Sequence, residues 1–372
     1  MKPNTLYTIV IISSVSLAIF FKLLFNDTIT IISPNTLLPS SLELQPATIH
    51  ISKSKGKITN VKGGIRNDLR KGKVLYLNSQ QWLLPGLIDT HVHINDPGRS
   101  HWEDFESATK SAISKGVTTL VDMPLNSIPS TIDVESLNLK RTLADGNIYA
   151  NLAFYGGSVP GNEKNLIHLL NNGVKGLKSF MVNSGVDEFQ MVSIKDIEKA
   201  MKSLKNTNAT LLYHAEVDLK KSKKSKKHNV EVDTKDYNTY LDSRPDEMEV
   251  EAIKLLIQKL RKYPNLHVHI VHLSSSKALP YIRQARADGL NLTVETCVHY
   301  LFFNAEDIPY GDVSYKCSPP IRNYENNIEL LHALKHGDID FITSDHSPSD
   351  PEVKKIEKGD FNDGWGGISG LG

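Results

Sequence analysis

The segment Pro85 to Arg99 reads PGLIDTHVHINDPGR. A short apolar run leads into two histidines that are two positions apart, His91 and His93. Side chains alternate along an extended segment, so both imidazoles fall on one face and can converge on a single metal. Taken alone, such a pair is read equally well as two hydrogen-bonded core histidines. The rest of the chain decides between these readings. From residue 84 onward, short apolar runs at 86–90, 117–122, 148–154, 174–180, 210–214, 266–272, 291–295 and 339–344 predict strands. Between them lie stretches of helical period at 102–115, 134–143, 193–204, 245–262, 276–287 and 326–335. That alternation is the pattern of parallel βα units, and eight strands are what a TIM (β/α)8 barrel needs. His214 closes the fifth run, His272 the sixth, and Asp345 follows the eighth. With His91 and His93 they all fall at the C-terminal mouth, where barrel active sites lie. Independent core histidines would not collect at one rim.

Imidazole and carboxylate ligands together suit a borderline divalent ion. Zinc is the first choice, with manganese, cobalt and iron also compatible. Four histidines and an aspartate exceed the needs of one tetrahedral catalytic ion, which predicts two ions and a ligand to bridge them. Lys178, in GLKSF at 176–180, ends the fourth run. An ordinary ammonium there would repel cations, whereas burial beside positive charge favours the neutral amine.

The remaining features bound the function. The 372 residues are 40% hydrophobic, enough for a barrel with a small accessory domain, and the net charge of +1 points to neither nucleic acid nor a membrane surface. A small uncharged substrate fits better. Cys297 and Cys317 are too few for a disulfide framework and are expected reduced. Runs of β-formers at 47–51, 57–61 and 73–77 predict a small β-domain over 27–83, ahead of the barrel at 84–372. The lysine-rich run 220–227 reads as a solvated loop. Residues 6–25 are apolar apart from hydroxyl side chains and Lys22, and as a helix would span about 30 Å, a bilayer's hydrocarbon core. Residues 1–26 are therefore expected to be a hydrophobic helix that anchors the protein to a membrane, that of the endoplasmic reticulum, with a cytoplasmic location as the alternative. A cleaved signal peptide is the competing reading, but no small-x-small cleavage pattern follows Phe25.

Further motifs are VTTLVDMPLNSIPST at 117–131, GLKSFMVNSGVDEF at 176–189, YHAE at 213–216, VHLSS at 271–275, ETCVHYL at 295–301, KCSPPIR at 316–322 and SDHSP at 344–348. With the segment at 85–99, and in this order, they resemble the cyclic amidohydrolases, the family of dihydroorotases and hydantoinases, and within it the allantoinase branch. The resemblance implies a TIM barrel with a small β-sandwich, and metal-dependent ring opening of allantoin to allantoate in purine catabolism. It implies that His91 and His93 hold a buried metal, and that His214 and His272 hold a more exposed one. Lys178 would be N6-carboxylated and bridge the two, while Asp345 would bind the buried ion and act as general acid/base. It further implies a homotetramer. Family members continue beyond the point reached by residue 372, so the sandwich and the last barrel helices are expected to be incomplete here. Where dihydroorotases carry an arginine for the substrate carboxylate, this chain has Asn95, which favours an uncharged ring. Asn95, the backbone around Ser318, and His299 are candidates for holding the ureide, or else supports for the residues that do. The alternatives are a hydantoinase or dihydropyrimidinase type of enzyme, and a non-catalytic scaffold relative.

Overall fold

The computed structural model describes residues 27–39, 41–219 and 232–371. The chain divides into two compact units, one ending at Gly86 and the other spanning Leu87–Gly372.

The first unit holds four strands, β1 (Thr28–Leu37), β2 (Leu44–Ser52), β3 (Lys57–Gly63) and β4 (Lys73–Tyr76). They form one sheet in the order β3-β2-β1-β4, antiparallel except for the β1–β4 pair. The expected run at 57–61 lies inside β3, while β2 and β4 fall close to the other two. β1 was not anticipated, because Ser33, Pro34 and Asn35 interrupt its β-formers. The sheet takes them up as an irregularity, with the β1–β2 register shifting between Ser33 and Thr36. Among the described residues this single sheet is what there is of the expected sandwich.

The second unit is a TIM-barrel-like ring of parallel strands. β5 (Leu87–Val92), β6 (Val117–Asp122) and β7 (Asn151–Phe154) pair in chain order. So do β8 (Gly156–Gly157), β9 (Leu177–Phe180), β10 (Thr210–His214), β11 (His267–Ile270), β12 (Leu292–Cys297) and β13 (Phe341–Thr343). β7 and β8 are one barrel strand that changes partner at Tyr155. The Tyr155 N–H bonds back to Asp122 O at the end of β6, and the next N–H, from Gly156, bonds to Gly176 O on the other side. Glycine is needed at 157, where a Cβ would come within 2.5 Å of the Phe189 ring. The ring closes at a parallel bridge between Val92 and His346, backed by a 2.7 Å hydrogen bond from His93 N–H to His346 O.

The helices begin where their caps place them. Asp104, Asp133 and Ser193 form reciprocal capping boxes that start Phe105–Ser114, Val134–Ala144 and Ile194–Leu204. The Asp104 cap explains why the first of these starts later than the expected residue 102. Along β11 and β12, Val268, Ile270, Leu292 and Val294 face the helices in the main hydrophobic core, so the alternate residues face the barrel axis.

The expected membrane anchoring, and with it the endoplasmic-reticulum location, is corrected. Among the described residues no helix is long and apolar enough to cross a membrane. The segment on which the expectation rested, residues 6–25, lies outside the described residues, as does the lysine-rich run 220–227.

Candidate metal centre

The expected ligands lie on the barrel strands or just beyond their ends. His91 is on β5 with His93 just beyond it, Lys178 is on β9, His214 is the last residue of β10, and His272 and Asp345 follow β11 and β13 by two residues each. All are buried. Two of these positions have a left-handed backbone that non-glycine residues rarely adopt, with φ of 40° at His272 and 47° at Asp345. Such strain costs roughly 1–3 kcal/mol per residue and persists where a side chain has to be aimed.

The side chains meet. Asp345 Oδ1 lies 3.0 Å from His91 Nε2 and 3.2 Å from His93 Nε2. Ligand atoms of His91, His272 and Asp345 all lie within 4.8 Å of one another. The His272 ring is 5.4 Å from that of His91 and 4.6 Å from that of His214. Lys178 Nζ sits 5.0 Å over the Phe180 ring, which in turn stacks on His214. Four buried nitrogens in this group lack a hydrogen-bond partner, His93 Nδ1, Lys178 Nζ, His214 Nδ1 and His272 Nδ1, and His91 Nε2 meets only the Asp345 carboxylate. Buried polar atoms are rarely left unpaired, and a cluster of lone-pair donors beside a carboxylate is what divalent cations require. The residues present therefore fit a metal centre.

The electrostatics point the same way. Burial pushes the Lys178 amine down to about 8, so the neutral form is within reach at physiological pH. Burial also holds His93 at about 4 and His272 well below its ordinary value, leaving both as neutral ligands. Burial disfavours charge on His91 as well, but Asp345 and Glu295 outweigh it and raise that group to about 9. The space between those two carboxylates attracts a positive charge.

A second ring of groups, assigned no role by sequence reasoning, holds the first. His91 Nδ1 bonds to Glu295 Oε1, and His214 Nε2 lies 2.5 Å from Glu216 Oε2. Glu216 is clasped by Arg244, with 3.0 Å between Arg244 Nε and Oε1. Asp89 accepts from the backbone N–H groups of His91 and Ser344. The available signal was position, since Glu295 and Glu216 sit at the C-terminal ends of the seventh and fifth barrel strands.

A cavity of about 710 Å³ opens over the centre and is lined by His93, His214, His272, Asp345, Ser318 and Arg244, among others. Ser318 Oγ is 2.7 Å from the Tyr240 hydroxyl. Asn95 and His299 do not line the cavity. Asn95 donates to Pro348 O at 3.3 Å and leaves its Oδ1 unpartnered, and His299 is buried with a free Nε2.

The model of the amidohydrolase family matches residues 82–363. An allantoinase of Saccharomyces cerevisiae is 45% identical over 336 residues, covering 88% of this chain and 72% of that protein. An allantoinase of Arabidopsis thaliana is 43% identical over 352 residues, covering 92% and 67%. Among solved structures, an L-hydantoinase (dihydropyrimidinase) from Arthrobacter aurescens superposes with a TM-score of 0.80 at 26% identity, covering 92% of this chain and 74% of that one.

Proposed function

Since the chain belongs to the amidohydrolase family, and within it to the allantoinases, we propose that it opens the hydantoin ring of allantoin to give allantoate by metal-dependent hydrolysis. It is a hydrolase of cyclic amide C–N bonds. The observation that carries the metal reading is that ligand atoms of His91, His272 and Asp345 lie within 4.8 Å of one another at the barrel mouth, among buried nitrogens without hydrogen-bond partners.

In this reading His91, His93 and Asp345 would hold one divalent ion and His214 and His272 another, zinc being the metal expected. Lys178, once carboxylated on its neutral amine by carbon dioxide with release of one proton, would offer a carboxylate in place of a cation. The ions, when bound, supply Lewis acidity that eases ionisation of water and polarises the scissile carbonyl. Asp345 does the proton work. One carboxylate oxygen takes the proton of the attacking water and returns it to the leaving ring nitrogen as the C–N bond breaks. Glu295 and Glu216 keep His91 and His214 in fixed orientations by accepting from the ring nitrogen that faces away from the metal.

Substrate contact is assigned to Ser318 on the cavity wall. Asn95 and His299, buried and off the cavity wall, are read instead as supports for the residues that touch the substrate. Two of the cations lining the cavity are already engaged, Arg244 by Glu216 and Lys316 by the carbonyls of Gly364 and Asn362. This favours a substrate without a carboxylate. Assembly as a homotetramer is expected from the resemblance and is read by light scattering.

The hydantoinase alternative draws on the 0.80 TM-score with the Arthrobacter enzyme, but at 26% identity against 45% for the yeast allantoinase. Metal analysis of the purified protein, with ring opening measured on allantoin, hydantoin, dihydrouracil and dihydroorotate, separates the readings. Preference for hydantoin or dihydrouracil would overturn the substrate assignment, and activity untouched by chelation would overturn the metal.

A further inference from the structure

Behind His91 the axis-facing residues of three neighbouring strands form an unbroken line of hydrogen bonds. Glu295 accepts from His91 Nδ1 through Oε1, and its Oε2 lies 3.1 Å from His269 Nε2. His269 Nδ1 is 2.7 Å from Thr293 Oγ1, which is 2.6 Å from His267 Nε2. His267 Nδ1 is 3.0 Å from Thr210 Oγ1. Thr210 and His267 are the first residues of β10 and β11, so the line climbs from the N-terminal end of the barrel to its catalytic mouth. His269 and Glu295 are buried, and a parallel ring of Phe341, 5.3 Å away, stacks on His269.

We infer that Thr210, His267, Thr293 and His269 are positioning residues that hold Glu295 in place and through it fix the orientation of His91. The proton assignments follow one from another. An ionised carboxylate only accepts, so His91 donates from Nδ1, leaving the Nε2 lone pair facing Asp345, and His269 donates from Nε2. A neutral imidazole has one N–H, so His269 Nδ1 must accept, and the Thr293 hydroxyl is its donor. Thr293 has then spent its proton and accepts from His267 Nε2. His267 Nδ1 in turn accepts from the Thr210 hydroxyl. Every link then has one donor and one acceptor. Reversing one link would set two donors or two acceptors against each other in a buried site, where an unmet polar group is costly.

The inference rests on the reading of His91 as a metal ligand, so the test separates the two. Histidine side-chain tautomers are read by long-range 1H–15N correlation on the zinc-loaded protein. His267 and His269 are expected protonated at Nε2 and His91 at Nδ1. In Thr293→Val, which removes the hydroxyl at nearly constant volume, His269 Nδ1 loses its donor and its 15N resonance moves to that of an unbonded pyridine-type nitrogen. Zinc affinity, measured by chelator competition, falls by roughly tenfold, the low end for loss of an outer support. Thr293→Ser restores both. His269 protonated at Nδ1 in the unaltered protein overturns the inference, and that measurement stands even if the valine variant fails to fold. An unchanged His269 Nδ1 resonance and unchanged zinc affinity in a folded Thr293→Val overturn it too. Retention of zinc by His91→Ala would instead remove the ligand reading and leave the tautomer result to be judged separately.

Discussion

Glu216 offers the sharpest test of the outer ring of the site. Burial opposes its charge, yet Arg244 and His214 overcome this and hold the carboxyl at about 2, against an ordinary value of 4.5. At about 1.4 kcal/mol per pH unit, that difference corresponds to a contribution on the order of 3 kcal/mol to folding. Breaking a buried ion pair from one side costs about 3–5 kcal/mol by an independent route, because the partner charge is left behind. Glu216→Gln keeps the shape and one acceptor oxygen, so the expected loss is at the lower end, about 3 kcal/mol at pH 7. The sign with pH is fixed. The group ionises more readily folded than unfolded, so its contribution is complete above about pH 5 and disappears as pH falls towards 2. Urea unfolding of the metal-free protein across that range measures both quantities. The unaltered protein should lose stability on acidification where Glu216→Gln loses less. Adding Arg244→Met should recover part of the deficit by removing the orphaned guanidinium. A difference at pH 7 below about 1 kcal/mol, or identical acid slopes, would refute the argument.

Three further outcomes are expected at the centre itself. The double variant His91→Ala, His93→Ala should bind fewer metal equivalents than the unaltered protein and lose turnover, as read by metal analysis after gel filtration; full metal content would remove the ligand assignment. Lys178→Ala should abolish turnover, with partial return on adding short carboxylic acids that replace the missing bridge, and full activity without them would end the bridging role. Asp345→Asn should retain much of its metal while turnover falls by about 10²–10⁴-fold, the range for loss of a general acid/base. The acidic limb of its pH profile should vanish, and its persistence would assign the proton transfer to another group.

Much of this was legible in the chain, because barrel strands announce themselves as apolar runs and their ends are where chemistry sits. The strand predicted at 117–122 is β6 and that at 210–214 is β10, and His91, His93, His272 and Asp345 lie together at the barrel mouth with His214 beside His272. The helix Tyr237–Ser243 and the short helix Leu166–Asn171 were missed, being too brief to establish a period. Glu216 and Glu295 stood inside recognised motifs without a role. A carboxylate announces nothing until its partner, 28 positions away for Glu216 and Arg244 and 204 for Glu295 and His91, is seen beside it. The partner change at Tyr155 was hidden for a related reason, since one apolar run reads alike whether it serves one ladder or two.

That partner change has a mechanical consequence. The barrel is two arcs, β5 to β7 and β8 to β13, that meet at Tyr155 on one side and at the Val92–His346 bridge on the other. His91 and His93 belong to the smaller arc, and Lys178, His214, His272 and Asp345 to the larger. In the proposed reading, an ion gripped by His91, His93 and Asp345 would be a rivet driven through the second of these seams. Loading the metal and tightening the barrel would become one event, and the empty protein should breathe along the Val92–His346 joint.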